Sequence, residues 1–351
     1  MIYYGNRNYG CRFKEVLFHN TRTVIIENEK ISVTILVDRG TDIISFNYKP
    51  QDTEFIWLDP VGLNILDKMN YTQWDKDYWK DNYYGGWFEC FPNVGPSGRY
   101  MNSYFNENAE IKYLPFDMSV EKDTAEEVVL KFFAKCTKTP FVIEKYIKIK
   151  SNEPTLFIKE KITNLADKKC GFLWGHHPNA GGRFIDDDTI IDMPDCTLYT
   201  MDEDENKSEV FNWPYTYSEG KCIDVRKIMS GGEGEANALF YLNNIKEGWG
   251  AFRNPKKKMG FGFSWDIDTF KSGILWIKYD KSEVHCDYDG RRLITIFPKT
   301  ADVNGLEEAS KNGLLSYLGP HESKETWINA TVFNGEKEVK TIDQNAKVFF
   351  K

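Results

Sequence analysis

The feature that most constrains this chain is a two-residue alternation of apolar and polar side chains, which recurs along most of its length. Ile31, Val33 and Ile35 alternate with Ser32 and Thr34. Phe141, Ile143, Ile147 and Ile149 share one side of an extended segment, and Glu144, Tyr146, Lys148 and Lys150 share the other. Leu156, Ile158 and Ile162 oppose Phe157, Lys159 and Lys161 in the same way. Successive side chains of a strand point to opposite faces, so the pattern predicts half-buried antiparallel strands. Further strands are expected over 21–28, 42–48, 127–136, 247–253, 260–266, 274–280, 292–297, 325–333 and 338–349. Helical spacing is confined to 62–70 and 305–312. No repeat, heptad or linker composition divides the chain. The expectation is an all-β protein, one large antiparallel β-sandwich domain spanning residues 1–351.

Composition narrows the partners. The net charge is −8, which disfavours nucleic acid and anionic membrane surfaces, because both attract basic proteins. The seven cysteines stand singly, at 11, 90, 136, 170, 196, 222 and 286, with no metal-ligand spacing. Such dispersed thiols suit a reducing compartment. The first residues, Met1 to Arg7, lack the apolar core of a signal peptide, and no apolar run approaches the ~18 residues of a membrane helix. A cytoplasmic protein is expected, without metal or cofactor. A homodimer is compatible with this reading.

Candidate chemistry is concentrated in two stretches. The chain has five histidines, and two are adjacent in Leu173-Trp174-Gly175-His176-His177-Pro178. Proline restricts the residue before it to extended backbone, so His177 is expected at a strand end. Alternation then puts Trp174 and His176 on one face and Gly175 and His177 on the other. One histidine at most can enter a given pocket, and His177 is the chosen one. Imidazole titrates near neutrality and can give or take a proton there. A structural histidine in the core is the plainer reading.

The second stretch is Gly85-Gly86-Trp87-Phe88-Glu89-Cys90-Phe91-Pro92-Asn93. Its glycines permit positive φ or close backbone approach. Trp87, Glu89 and Phe91 share a face if the segment is extended. A carboxylate among aromatics can have a raised pKa and act as an acid or base; an edge strand with one solvated glutamate is the plainer reading. Trp265-Asp266-Ile267-Asp268 and Trp276-Ile277-Lys278-Tyr279 pair aromatics with charges that can line a cleft. The run Asp202-Glu203-Asp204-Glu205 lacks the glycine and terminal glutamate of a calcium loop. Gly260-Phe261-Gly262 is not followed by the Lys-Ser/Thr pair of a phosphate loop.

Taken in order, these landmarks resemble the aldose 1-epimerase (galactose mutarotase-like) superfamily. The segments are Val37 to Ile43, Gly85 to Asn93, Trp174 to Pro178, and Gly313 to Ser323. The resemblance implies a β-supersandwich with an open sugar cleft. It implies anomer exchange without metal or cofactor: a carboxylate takes the anomeric hydroxyl proton, a histidine protonates the ring oxygen, and the opened sugar rotates and recloses. His177 matches the general-acid histidine. Glu89 and Glu110 are the candidate bases, with Glu283 a further one. Trp87 and Trp174 would stack on the sugar, and Asn93, His176 and Lys278 would complete its binding. Two departures stand out. Asn108-Ala109-Glu110 replaces a His-Gly-Glu segment, and Phe297 stands where the family carries its basic glutamate. These departures favour, as the alternative, a non-catalytic sugar-binding or sugar-sensing protein. The expected partner is a small sugar or sugar derivative.

Overall fold

The computed structural model describes residues 7–59, 83–201, 207–218, 220–230, 236–279 and 292–351. The helix expected at 62–70, the acidic run 202–205 and Glu283 lie outside them. Among the described residues, regular structure is almost entirely antiparallel strand, in two large sheets. The first has twelve strands. Its path runs Arg12–Phe18, Thr21–Glu27, Ile31–Leu36, Asp42–Tyr48, Trp87–Cys90, Gly175–Gly181, Arg292–Lys299, Ser272–Tyr279, Ala236–Asn243, Thr197–Tyr199 and Phe211–Asn212, with Thr53–Glu54 beside Asp42–Tyr48. The second has eight, in the order Ile190–Asp192, Trp249–Asn254, Met259–Trp265, Ser323–Phe333, Thr155–Asn164, Phe141–Lys150, Glu127–Lys135 and Asp117–Asp123.

The alternation explains how the sheets face each other. Along Phe141–Lys150 buried and half-buried residues alternate strictly, so its isoleucines and Lys145 point between the sheets while Lys148 and Lys150 stay on the outer side. The inner faces of the two sheets merge into one apolar cluster from Cys11 to Val332. Aromatic rings bridge them: Phe55 stacks on Phe261 with centroids 4.6 Å apart, and Trp87 meets Phe263 edge-on at 5.3 Å. Offset and edge-on contacts of this kind add to the area they bury. The six described cysteines are all unpaired thiols. No helix among the described residues is long and apolar enough to cross a membrane.

Two expectations need correction. The segment 338–349 is a hairpin, Val339–Ile342 and Val348–Phe350. Asp343 caps its turn by accepting from the amides of Asn345 and Lys347, which is the local chemistry that ends a strand. His177 lies in mid-strand, not at a strand end. The ladder joining Gly175–Gly181 to Arg292–Lys299 skips residues 176–178, so Pro178 costs it no hydrogen bond. The helix expected near 305–312 is present as Leu306–Lys311 and buries Leu306 and Ala309.

Asn28 ties the two sheets together at one end. From the hairpin after Thr21–Glu27 its Nδ2 donates to Lys150 O at 2.6 Å and Glu153 O at 2.8 Å, while its Oδ1 accepts from the amides of Lys30 and Ile31. Asn28 is fully buried. Asn28→Ala leaves these groups without partners and is expected to cost about 2–4 kcal/mol, at roughly 1–3 kcal/mol per buried unsatisfied group. A urea-unfolding midpoint equal to that of the parent protein would refute this account.

Candidate functional site

The strand Gly175–Gly181 is central in the first sheet, and its pleat sends the two histidines in opposite directions. His176 turns inward, toward the second sheet. Its Nε2 donates to Glu160 Oε2 at 2.9 Å. Lys145 Nζ lies 2.7 Å from Glu89 Oε2 and 3.3 Å from Glu160 Oε1, and donates to Thr41 Oγ1 at 2.8 Å. Trp174 Nε1 donates to the other oxygen of Glu89. All of these side chains are at least nine-tenths buried. Burial, then the charge of Glu160, pushes the Glu89 carboxyl up to about 7, although Lys145 opposes this. For Glu160, the penalty of burial is outweighed by His176 and Lys145, which hold it low. Lys145 likewise keeps its proton despite burial, because two carboxylates flank it. Glu89, Glu160 and His176 also offer ligand atoms within 4.8 Å of one another. The Lys145 ammonium already fills the space between the carboxylates, so the group reads as an internally neutralised ion cluster.

His177 turns to the outer face. It pairs with Phe88 in the register to Trp87–Cys90. The flanking pairs Gly175–Lys299 and Asn179–Thr295 bring Phe297 alongside it. Phe297 then pairs with Ile274, and Ile274 with Tyr241, so five neighbouring strands place one row of side chains on this face. The His177 ring stacks on Phe88 with centroids 4.6 Å apart and planes 14° apart. It lies 4.8 Å from Phe297, 6.0 Å from Trp276 and 6.4 Å from Tyr83. Above this row is a cavity of about 580 Å3, whose lining includes Tyr83, Glu107, Asn108, Trp276, Tyr241 and Asn304. Its size and largely apolar walls with a few polar groups suit a small ligand.

The electrostatics of this floor are unusual. His177 is 8% exposed and its Nδ1 has no hydrogen-bond partner. Burial, reinforced by the charge of Lys112, drives its pKa down to about 3, so the imidazole is neutral. Lys112 Nζ lies 3.2 Å over the centroid of the Phe88 ring. A ring whose face is occupied by His177 has only its other face for the ammonium, so Phe88 separates the two groups. Burial also brings Lys112 down to about 7, with Asp42 opposing the shift. Beneath the floor, Asn179 Oδ1 accepts from Tyr83 OH at 2.7 Å and Thr295 Oγ1 at 2.8 Å, and its Nδ2 donates to Gly86 O at 2.6 Å. Gly85 and Gly86 both have positive φ, and a side chain at Gly85 would strike Trp57. The close approach expected of these glycines is what seats Trp57 under Tyr83, their rings 6.1 Å apart.

The structure therefore divides the sequence-predicted residues. His177 and Phe297 face the cavity. Glu89, Trp87, Trp174 and His176 do not: all four point between the sheets, because even spacing carries each of them to the inner face. Glu110 also turns away, accepting from Thr137 Oγ1 at 2.8 Å and the Lys138 amide at 2.8 Å. Asn93 is a loop staple, donating to Gly95, Pro96 and Asn106 carbonyls and accepting from the Leu306 amide. Lys278 shares the outer face of its strand with Trp276 but lies beyond the cavity wall. Asn108, at the place of the missing family histidine, does line the cavity, with its Oδ1 held by the Gly95 amide at 2.8 Å. Tyr83, Glu107, Tyr241 and Asn304 escaped sequence reasoning. The alternation of the strand Ala236–Asn243 bears on Tyr241; loop residues such as Glu107 carry no periodic signal.

Two outcomes test this partition. Lys145→Ala leaves buried carboxylates uncompensated and is expected to destabilise by about 3–5 kcal/mol. Lys159→Ala, which breaks the exposed pair with Glu325, is expected to stay within about 1 kcal/mol; equal effects would contradict the buried-cluster assignment. The second outcome concerns pH. The unfolded histidine takes up a proton near 6.5, and the buried His177 ring only near 3, so protonation favours the unfolded chain between these values. Relative to His177→Leu, the parent protein should lose stability as pH falls through that window, with a slope approaching one proton. Parallel stability curves for the two proteins would overturn the neutral-imidazole assignment.

Comparison with known proteins fits this architecture. A proposed aldose 1-epimerase from Klebsiella pneumoniae subsp. pneumoniae superposes with a TM-score of 0.72 at 12% identity, covering 93% of this chain and 88% of the other. A galactose mutarotase-like protein from Clostridium acetobutylicum gives 0.65 at 14%, covering 93% and 99%. A galactose mutarotase related enzyme from Lactobacillus acidophilus gives 0.59 at 18%, covering 91% and 100%. At such identities the likeness establishes the fold, that of the galactose mutarotase-like proteins. No curated protein matches the sequence. The family model described as a domain of unknown function (DUF4432) matches residues 19–332, and the chain belongs to that family.

Proposed function

We infer that this protein binds a monosaccharide in the His177 cavity and interconverts its anomers, as an aldose 1-epimerase-like isomerase. The observation that carries the reading is His177 itself. It is an imidazole, 8% exposed, on the floor of an aromatic-walled cavity, on a fold shared with mutarotase-like proteins. Sugar hydroxyls can hydrogen-bond to an imidazole, and the carbon faces of a pyranose fit the rings of Trp276, Tyr83 and Phe297.

Anomer exchange needs two proton movements. One group removes the proton from the anomeric hydroxyl, and another delivers a proton to the ring oxygen as the C1–O5 bond breaks. The aldehyde formed can rotate and close on its other face, with the two proton transfers reversed. Among the described residues Glu107 is the carboxylate lining the cavity, and it takes the role first expected of Glu89 or Glu110. His177 is the proton donor. Burial and the charge of Lys112 keep the ring neutral on its own, so its role as donor requires an opposite charge beside it, and Glu107 in the same lining is the carboxylate that supplies one.

One observation favours a second reading, in which the protein binds sugar without catalysis. Phe297 occupies the place opposite His177 where a base would serve, and it offers only an apolar ring 4.8 Å away. The two readings separate experimentally. Exchange NMR on a panel of aldoses should detect acceleration by the parent protein. His177→Ala and Glu107→Gln should each lower it by about a hundredfold or more, the usual contribution of a positioned acid or base. Saturable binding by calorimetry without acceleration selects the second reading. No saturable binding of any sugar removes both.

A further inference from the structure

One end of the cavity is closed by Tyr241 and Asn304, and immediately behind them lies a buried cation. Lys299 shares the outer face of its strand with Phe297 and is 1% exposed. Its Nζ reaches only Val303 O at 3.4 Å and Asn304 Oδ1 at 3.3 Å, and it lies 5.1 Å from the centroid of the Tyr241 ring. Charge-assisted bonds are usually about 2.7–2.9 Å long, so both contacts are slack. Lys145 provides the comparison within the same molecule: it is equally buried and has two carboxylates, at 2.7 and 3.3 Å. Lys299 has none within salt-bridge distance among the described residues. The nearest acidic group in sequence, Asp302, is already engaged by Tyr199 OH, Asn243 Nδ2 and Lys207 Nζ. Asn304 links the cation to the cavity, since its Oδ1 faces Lys299 while its Nδ2 donates to Tyr241 OH at 2.6 Å.

A buried charge is normally paired, because removing it from water without compensation is costly. Here no carboxylate pairs with the ammonium among the described residues, and the side chains of Asn304 and Tyr241 stand between it and the cavity. We propose that the sugar bound in this cavity carries an acid group, a carboxylate or a phosphate, which sits at the Tyr241–Asn304 end and is attracted by the Lys299 ammonium immediately behind that wall. This deepens the sugar-binding reading and rests on it. The arginines near the candidate loops do not serve this end: Arg39 is buried over the Tyr84 ring, and Arg99 and Arg183 are exposed. Burial lowers the Lys299 pKa to about 8, with Asp302 and Glu308 opposing the shift, so the cation persists at neutral pH.

Calorimetry with galactose, galacturonate and galactose 6-phosphate tests the proposal and distinguishes the two acid groups. At least one acid sugar should bind roughly tenfold or more tightly than galactose, the size of a hydrogen bond to a charged group. Lys299→Met keeps the stem and removes the charge, and should collapse the ratio of acid to neutral affinity toward one. Galactose binding as tightly as both acid forms, or an unchanged ratio in Lys299→Met, overturns the inference while leaving sugar binding intact. Absence of binding by all three removes the sugar reading and the inference with it. Should the variant fail to fold by its thermal midpoint, the ratio in the parent protein decides alone.

Discussion

The pleat of one strand, Gly175–Gly181, governs this molecule. Adjacent side chains on a strand cannot face the same way, so two neighbouring histidines receive different surroundings from the same backbone. His176 enters the space between the sheets and joins a lysine and two carboxylates. His177 meets four aromatic rings and a cavity. The neighbouring strand Trp87–Cys90 repeats the division: Trp87 and Glu89 point inward, and Phe88 points outward. The sheet thus has an ionic lining on one side and an aromatic floor on the other.

The two sides solve the cost of burial differently. Inside, charges are matched closely enough that Lys145 and Glu160 remain ionised. Outside, His177 and Lys112 both shift toward their neutral forms, because neither gains enough opposite charge to offset lost hydration. Phe88 mediates this arrangement. Its electron-rich face attracts the Lys112 ammonium, while its other face stacks on the imidazole. The ring stands between the ammonium and the imidazole, and burial together with the Lys112 charge holds the histidine neutral.

Much of the architecture could be read from the sequence because its signals are local and periodic. Alternation located strands such as 127–136, 260–266 and 325–333 closely but missed Ala236–Asn243, and the ordered landmarks pointed to the mutarotase-like fold. The same parity rule separated His177 from His176, without saying which of them meets a pocket. It also contained the reason Glu89, Trp87 and Trp174 belong elsewhere, but spacing cannot say which face of a sheet is the wet one. That is decided by what packs across it, here Lys145 and Glu160 from the second sheet, more than fifty residues from Glu89 in sequence. Glu107, Asn304 and Tyr83 reach the cavity through loop geometry, which has no period to detect. Asn93 was misread because a sugar ligand and a loop staple use the same amide groups.

The two-sided strand has a practical consequence for anyone searching this protein by random mutagenesis. Loss-of-activity hits will gather at positions 87, 89, 174 and 176 as readily as at 88 and 177, since all lie within two short segments. Of these only His177 lines the hollow, with Phe88 stacked against its ring. A screen scored by activity alone would blend scaffold failures with genuine pocket defects, and a sequence-adjacent pair would be mistaken for a single functional motif.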